Sequence, residues 1–96
     1  MEFDDTELNK RNKVHIRIQQ RNGRKSITTI QGLASDLDLY KILQSLKKNF
    51  KCNGSVSRHK QYGDIIQLQG DQRESCKNFL VDHEIVQAAD VEIHGF

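Results

Sequence analysis

From residue 14 to residue 21 apolar and polar positions alternate, with Val14, Ile16 and Ile18 on one side and His15, Arg17, Gln19 and Arg21 on the other. A period of two predicts a half-buried strand with a basic outer face. Residues 25–33 are rich in β-branched side chains (Ile27, Thr28, Thr29, Ile30) and predict the return strand. Between the two stands Asn22-Gly23. Both residues tolerate positive φ, so the pair predicts a two-residue type I′ hairpin turn. Ile27 and Ile30 are out of phase, which predicts a bulge or a second covered face.

The period then lengthens. Ser35 with Asp38 has the spacing of a capping box, and Leu39, Ile42, Leu43, Leu46 and Phe50 form an apolar stripe at helical spacing. Asn53-Gly54 is the expected stop. Residues 55–58 and 64–69 read as two further strands joined by residues 59–63. Asp71 with Glu74 makes a second capping box, for a helix running to about His83 that buries Cys76, Phe79 and Leu80. A short alternating strand, residues 91–96, closes the chain. The predicted fold is an α/β (α+β) two-layer sandwich of order ββαββαβ, a mixed sheet with both amphipathic helices on one face. Residues 1–13 read as a flexible N-terminal tail, and residues 14–96 as one domain.

Charge changes this picture. Residues 1–9 carry four acids and no base, residues 10–60 thirteen bases and two acids (net +11), and residues 61–96 two bases and seven acids (net −5). A segment this basic in a chain of net +2 predicts one positive face, the footprint of a nucleic-acid binder. A solvated lysine-rich surface would also be basic. However, no acid lies between Lys10 and Lys25, whereas solubilising lysines are usually interleaved with acids. Arg21, Arg24 and Lys25 crowd the hairpin tip, where like charges repel and folding gains nothing, so a polyanion outside the protein is the expected reason for them. Lys41, Lys47, Lys48 and Lys51 lie off the apolar stripe of the first helix. Complementation of the helix dipole is the alternative account of those near its end.

Catalysis has little support. The chain has no nucleophile elbow and no phosphate loop. Asp64 and Asp71 flank a strand as ordinary strand-end and capping residues. His15, His59, His83 and His94 show no metal-binding spacing with one another or with Cys52 and Cys76, so neither a metal site nor a cofactor is expected. Two cysteines make no disulfide framework, Met1 to Asp5 lacks the features of a signal peptide, and no apolar run approaches a membrane span; a reduced, cytosolic protein is expected. Few aromatics stand on strands, so recognition of folded RNA by shape is favoured over base stacking on the sheet.

Residues 16–25, Cys52-Asn53-Gly54, residues 66–73 and the terminal His94-Gly95-Phe96 together resemble the eukaryotic translation initiation factor 1 family, in order and spacing. The resemblance covers about residues 14–96. It implies a non-catalytic factor that binds the small ribosomal subunit near the peptidyl site, promotes scanning and accurate start-codon selection, and leaves when an AUG pairs. Carried over, the ribosomal RNA contacts are Arg21, Asn22, Gly23, Arg24, Lys25, Lys41, Lys47 and Lys48. The loop His59, Lys60, Gln61, Tyr62, Gly63 and Asp64 lies near the initiator tRNA, and Asp71, Gln72 and Gly95 are tied to initiation fidelity. The implied partners are the small subunit and its RNA, the initiator tRNA nearby, and initiation factors 1A, 2, 3 and 5. No membrane partner is implied, and the free protein is expected to be a monomer. Lys60 and Gln61 stand where the family usually has Pro and an acidic residue, and Glu92 stands at a common lysine. A related-fold ribosome-binding factor in reinitiation or recycling, or an adaptor docking an acidic protein on its basic face, are the alternatives.

Overall fold

Burial of Ile30 decides how the first two strands meet. The computed structural model describes residues 13–95 apart from 22, 24, 35 and 60–62. β1 (Val14–Gln20) pairs antiparallel with β2 (Ser26–Gln31), Ile16 lying opposite Ile30 and Ile18 opposite Thr28. Residues opposite one another share a sheet face, so Ile16 and Ile30 enter the core together. A two-residue turn would set Ile16 opposite Thr29 and turn Ile30 outward. The observed register instead leaves residues 22–24 between Arg21 and Lys25, with the Arg21 N–H bonded to the Lys25 carbonyl at 2.8 Å. The expected two-residue type I′ turn is therefore a three-residue loop, with Gly23 at φ +56°.

The pairing of β1 with β2 is also unbroken, so no bulge is present there. The core position in phase with Ile30 is Thr28, fully buried. Its hydroxyl donates to the Gly70 carbonyl (2.7 Å) and accepts from the Gln72 N–H (2.8 Å), which removes the cost of burying a polar group. Ile27 falls on the opposite face and is half-buried.

β3 (Gly54–His59) and β4 (Gly63–Gln69) form the second hairpin, and β5 (Val91–Ile93) lies parallel to β1 at the far edge. The sheet order is β3-β4-β2-β1-β5. The helices are α1 (Leu39–Phe50) and α2 (Arg73–Asp82). Leu43 and Leu46 from α1 and Cys76, Phe79 and Leu80 from α2 join Val14, Ile16, Ile30, Ile66 and Leu68 in one core. Both helices thus cover one face of a mixed sheet, the predicted α+β arrangement. A 3-10 turn, Ala88–Asp90, precedes β5 and was not legible in the pattern.

The helix ends depart from expectation. Asp38 itself caps α1, accepting from the Tyr40 and Lys41 N–H groups at 3.2 Å. Ser35, the expected cap, lies outside the described residues. α1 stops at Lys51, which adopts a left-handed conformation (φ 51°, ψ 49°) and donates its N–H to the Lys47 carbonyl. Asn53-Gly54 does not end the helix. Gly54 opens β3, where a Cβ would lie 2.6 Å from the Gln67 carbonyl oxygen of the paired strand β4, so the close approach of that backbone excludes any larger residue. Asp71 does not cap α2 through a capping box either. Gln72 precedes the helix without a side-chain cap, and Asp71 turns to Arg73. Among the described residues no helix is long and apolar enough to cross a membrane.

Candidate nucleic-acid interface

The end of the β1–β2 hairpin and the end of α1 meet. Arg21 and Lys25 are exposed at the base of the three-residue loop. They line an open groove with Ser26, Ile27, Lys51, Cys52, Gln69 and Gly70. A second hollow adjoins it, lined by Gln44, Lys47, Lys48, Lys51, Cys52, Asn53 and Gln69. Lys51, Cys52 and Gln69 border both, so Arg21, Lys25, Lys51, Lys47 and Lys48 form one continuous basic strip. Among the described residues, no acidic one lines either hollow. The half-buried Ile27 supplies apolar wall beneath the cations, which explains why it is out of phase with the core.

Several predicted contacts are therefore brought together, although they stand some twenty residues apart in the chain. Gly23 is exposed at the loop, while Asn22 and Arg24 lie outside the described residues. Lys41 is exposed in the first turn of α1 and lines neither hollow; it is two helical turns from Lys48, about 10 Å along the axis. Sequence reasoning left Lys51 and Gln69 off the contact set. Lys51 is the hinge of the strip, and its signal was its position as the last cation of the helix. Its left-handed backbone costs a non-glycine residue roughly 1–2 kcal/mol, and such outliers gather where function holds them.

The second predicted site divides. His59 ends β3 with its backbone opposite Gly63, and Asp64 accepts from the exposed Arg58 side chain at 3.2 Å. Lys60, Gln61 and Tyr62 lie outside the described residues.

Two of the three residues expected to bear on fidelity, Asp71 and Gly95, meet at Arg73, which sequence reasoning assigned no role. Its guanidinium grips both carboxylate oxygens of Asp71 (2.9 and 2.8 Å) and reaches the His94 carbonyl at 3.3 Å. A Cβ on Gly95 would touch Arg73 Nη1 at 3.7 Å. The hydrogen bonds from Arg73 hold the Asp71 carboxyl below the usual carboxylate range. Gln72 is held by Thr28 through its N–H and by the Gln69 carbonyl through its side chain. The β4–α2 turn is thus tied to the C-terminal segment on one side and to β2 on the other.

Both thiols are free. Cys76 is core, and burial pushes its pKa up to about 12. Cys52 borders the basic strip, half-buried, with its pKa also raised by burial. Although sequence spacing predicted no metal site, the parallel β1–β5 pairing gathers His15, Glu92 and His94 on the outer sheet face. A chain separation of 77 residues hides that juxtaposition from any motif.

Comparison with known proteins identifies the family and the fold. The profile of the family "Translation initiation factor SUI1" matches residues 10–86. The chain is 52% identical over 83 residues to eukaryotic translation initiation factor 1 of Homo sapiens, covering 86% of this chain and 74% of that protein. It is 53% identical over 83 residues to the Drosophila melanogaster factor eIF1, covering 86% and 76%. It is 50% identical over 93 residues to a protein translation factor SUI1 homolog of Salix bakko, covering 97% and 82%. Among solved structures, the C-terminal domain of human eIF2D shares the fold with a TM-score of 0.76 at 20% identity, over 85% of this chain and 42% of that one. On the family match and on half-identical relatives that span most of its length, the chain belongs to the translation initiation factor SUI1 family.

Proposed function

We propose that this chain, a translation initiation factor by family, binds the small ribosomal subunit near the peptidyl site. There it promotes scanning and start-codon selection and leaves on AUG recognition. The observation that carries the reading is the basic strip from Arg21 and Lys25 through Lys51 to Lys47 and Lys48. Arginine forks and lysine point charges suit phosphate oxygens, and a hairpin end beside a helix end can follow an RNA backbone through a groove. Asn22, Gly23 and Arg24 complete the contact at the tip, and Lys41 extends it along α1. The loop of residues 59–64 faces the initiator tRNA. Asp71 and Gly95, which meet at Arg73, and Gln72, anchored on Thr28, set the position of the C-terminal segment during codon selection. Residues 14–96 act as the ribosome-binding domain, with residues 1–13 as a tail toward other initiation factors, among them 1A, 2, 3 and 5.

The test is a paired reporter assay of initiation at AUG and UUG in cells relying on this chain. Arg21→Glu with Lys51→Glu raises the UUG share while leaving the fold intact: both side chains are exposed, and reversing the charge at the end of α1 costs only about 0.3–1 kcal/mol against the helix dipole. An unchanged UUG share with normal protein levels refutes the assignment.

A further inference from the structure

The outer sheet face carries a cluster that the RNA-binding reading does not use. β5 pairs with β1 in parallel, setting His15 beside Glu92, and the alternation of β5 puts His94 on the same face. His15 Nδ1 and His94 Nε2 point at each other at 3.0 Å. Together with a Glu92 carboxylate oxygen they lie within 4.8 Å of one another. Four-coordinate zinc with bonds of about 2.0–2.1 Å spaces its ligand atoms by roughly 3.3 Å. The imidazole pair is already near that spacing, and the half-exposed Glu92 side chain is free to close the remainder by rotation. The geometry points to a divalent transition-metal site of the zinc class, with His15 Nδ1, His94 Nε2 and Glu92 as protein ligands and water completing the shell.

The surroundings fit a cation despite two nearby positive charges. Lys13 bonds Glu92 at 3.4 Å, but both side chains are more than a third exposed, so this ion pair is weak and leaves one carboxylate oxygen uncommitted. Arg17 is turned aside, its guanidinium donating to Gln31 Oε1 at 2.8 Å. His94 is fixed at both backbone groups, its N–H on the Ile16 carbonyl (2.8 Å) and its carbonyl on Arg73. Two imidazoles and a carboxylate are the donor set suited to zinc, with copper(II) and nickel(II) as stronger or comparable competitors in the same site. An ion here would staple the three-residue β5, and the Gly95 that follows it, to β1.

The test is calorimetric titration of the full chain with zinc chloride at pH 7.4, paired with nitrogen-detected NMR of the histidine rings. One equivalent binds, and the signals of His15 Nδ1 and His94 Nε2 move to metal-bound positions. Exchange of the His94 amide slows. Glu92→Gln weakens binding about tenfold and His15→Gln abolishes the site, while Cys52→Ser, His59→Gln and His83→Gln leave it unchanged. Circular dichroism of each variant establishes that the fold persists. Absence of one-to-one binding overturns the assignment, as does binding that survives His15→Gln or disappears with Cys52→Ser.

Discussion

Replacing Thr28 by valine tests the polar node beneath the β4–α2 turn. Valine has the same branched shape, so the change leaves no cavity and suits a strand. What disappears is one hydroxyl that is wholly buried, donating to the Gly70 carbonyl at 2.7 Å and accepting from the Gln72 N–H at 2.8 Å. A buried donor without a partner costs about 1–3 kcal/mol, and the carbonyl adds roughly 1 more, for a total near 2–4 kcal/mol. Thr28→Ser keeps both bonds and loses one methyl group, worth about 1 kcal/mol. The order of stability is therefore wild type, then serine, then valine, the reverse of burial preference. Urea unfolding followed by circular dichroism measures it, and hydrogen exchange at the Gln72 amide accelerates most in the valine variant. If the valine variant is at least as stable as the serine variant, the hydroxyl is not what holds the turn.

Three other outcomes are expected. Lys51→Gly relieves a left-handed non-glycine backbone and stabilises the protein by about 1 kcal/mol in thermal unfolding, yet weakens RNA binding because the strip loses its central cation; equal affinity would remove Lys51 from the interface. With a disulfide reagent at pH 8, Cys52 reacts first and slowly, whereas Cys76, fully buried and with its pKa pushed up to about 12, reacts only on unfolding. Fast labelling of Cys76 in the native protein would contradict the packing. Asp71→Asn destabilises the protein at pH 7. Because the folded carboxyl has a lowered pKa, its contribution is present above the unfolded value of about 4 and lost as pH falls through the folded one. The gap between variant and wild type in urea midpoint therefore narrows as pH falls below about 4, and a gap that does not change with pH would refute the Arg73 pairing.

The core was legible because strand and helix periods each placed apolar residues on one face: Val14, Ile16 and Ile18 alternate into it, and Leu43 and Leu46 fall at its centre. Hairpin register was not. Asn22-Gly23 expresses a local preference for a two-residue turn, but turning Ile30 out of the core would cost more than the dipeptide gains, so burial set the loop length. Likewise the capping-box spacing pointed to Ser35 as the cap of α1, whereas the helix starts at Leu39 and Asp38 caps it. The cations at the hairpin tip were visible as charge on a tight turn. Their continuity with Lys51, Lys47 and Lys48 depends on α1 ending beside β2, a tertiary fact. The same holds for Arg73, which links Asp71 to His94 across 21 residues, and for His15 with His94.

The central claim is that the strip of Arg21, Lys25, Lys51, Lys47 and Lys48 is an RNA-binding surface for the small ribosomal subunit. Its most direct test is equilibrium binding to purified small subunits, with total tRNA as competitor, as salt is raised. The wild-type chain is expected to prefer subunits. Arg21→Glu with Lys51→Glu is expected to bind roughly 10–100-fold more weakly, with a log–log salt slope shallower by about 1.5–2, as for two lost phosphate contacts. Equal affinity for tRNA, or a slope unaltered by the two charge reversals, would contradict the account.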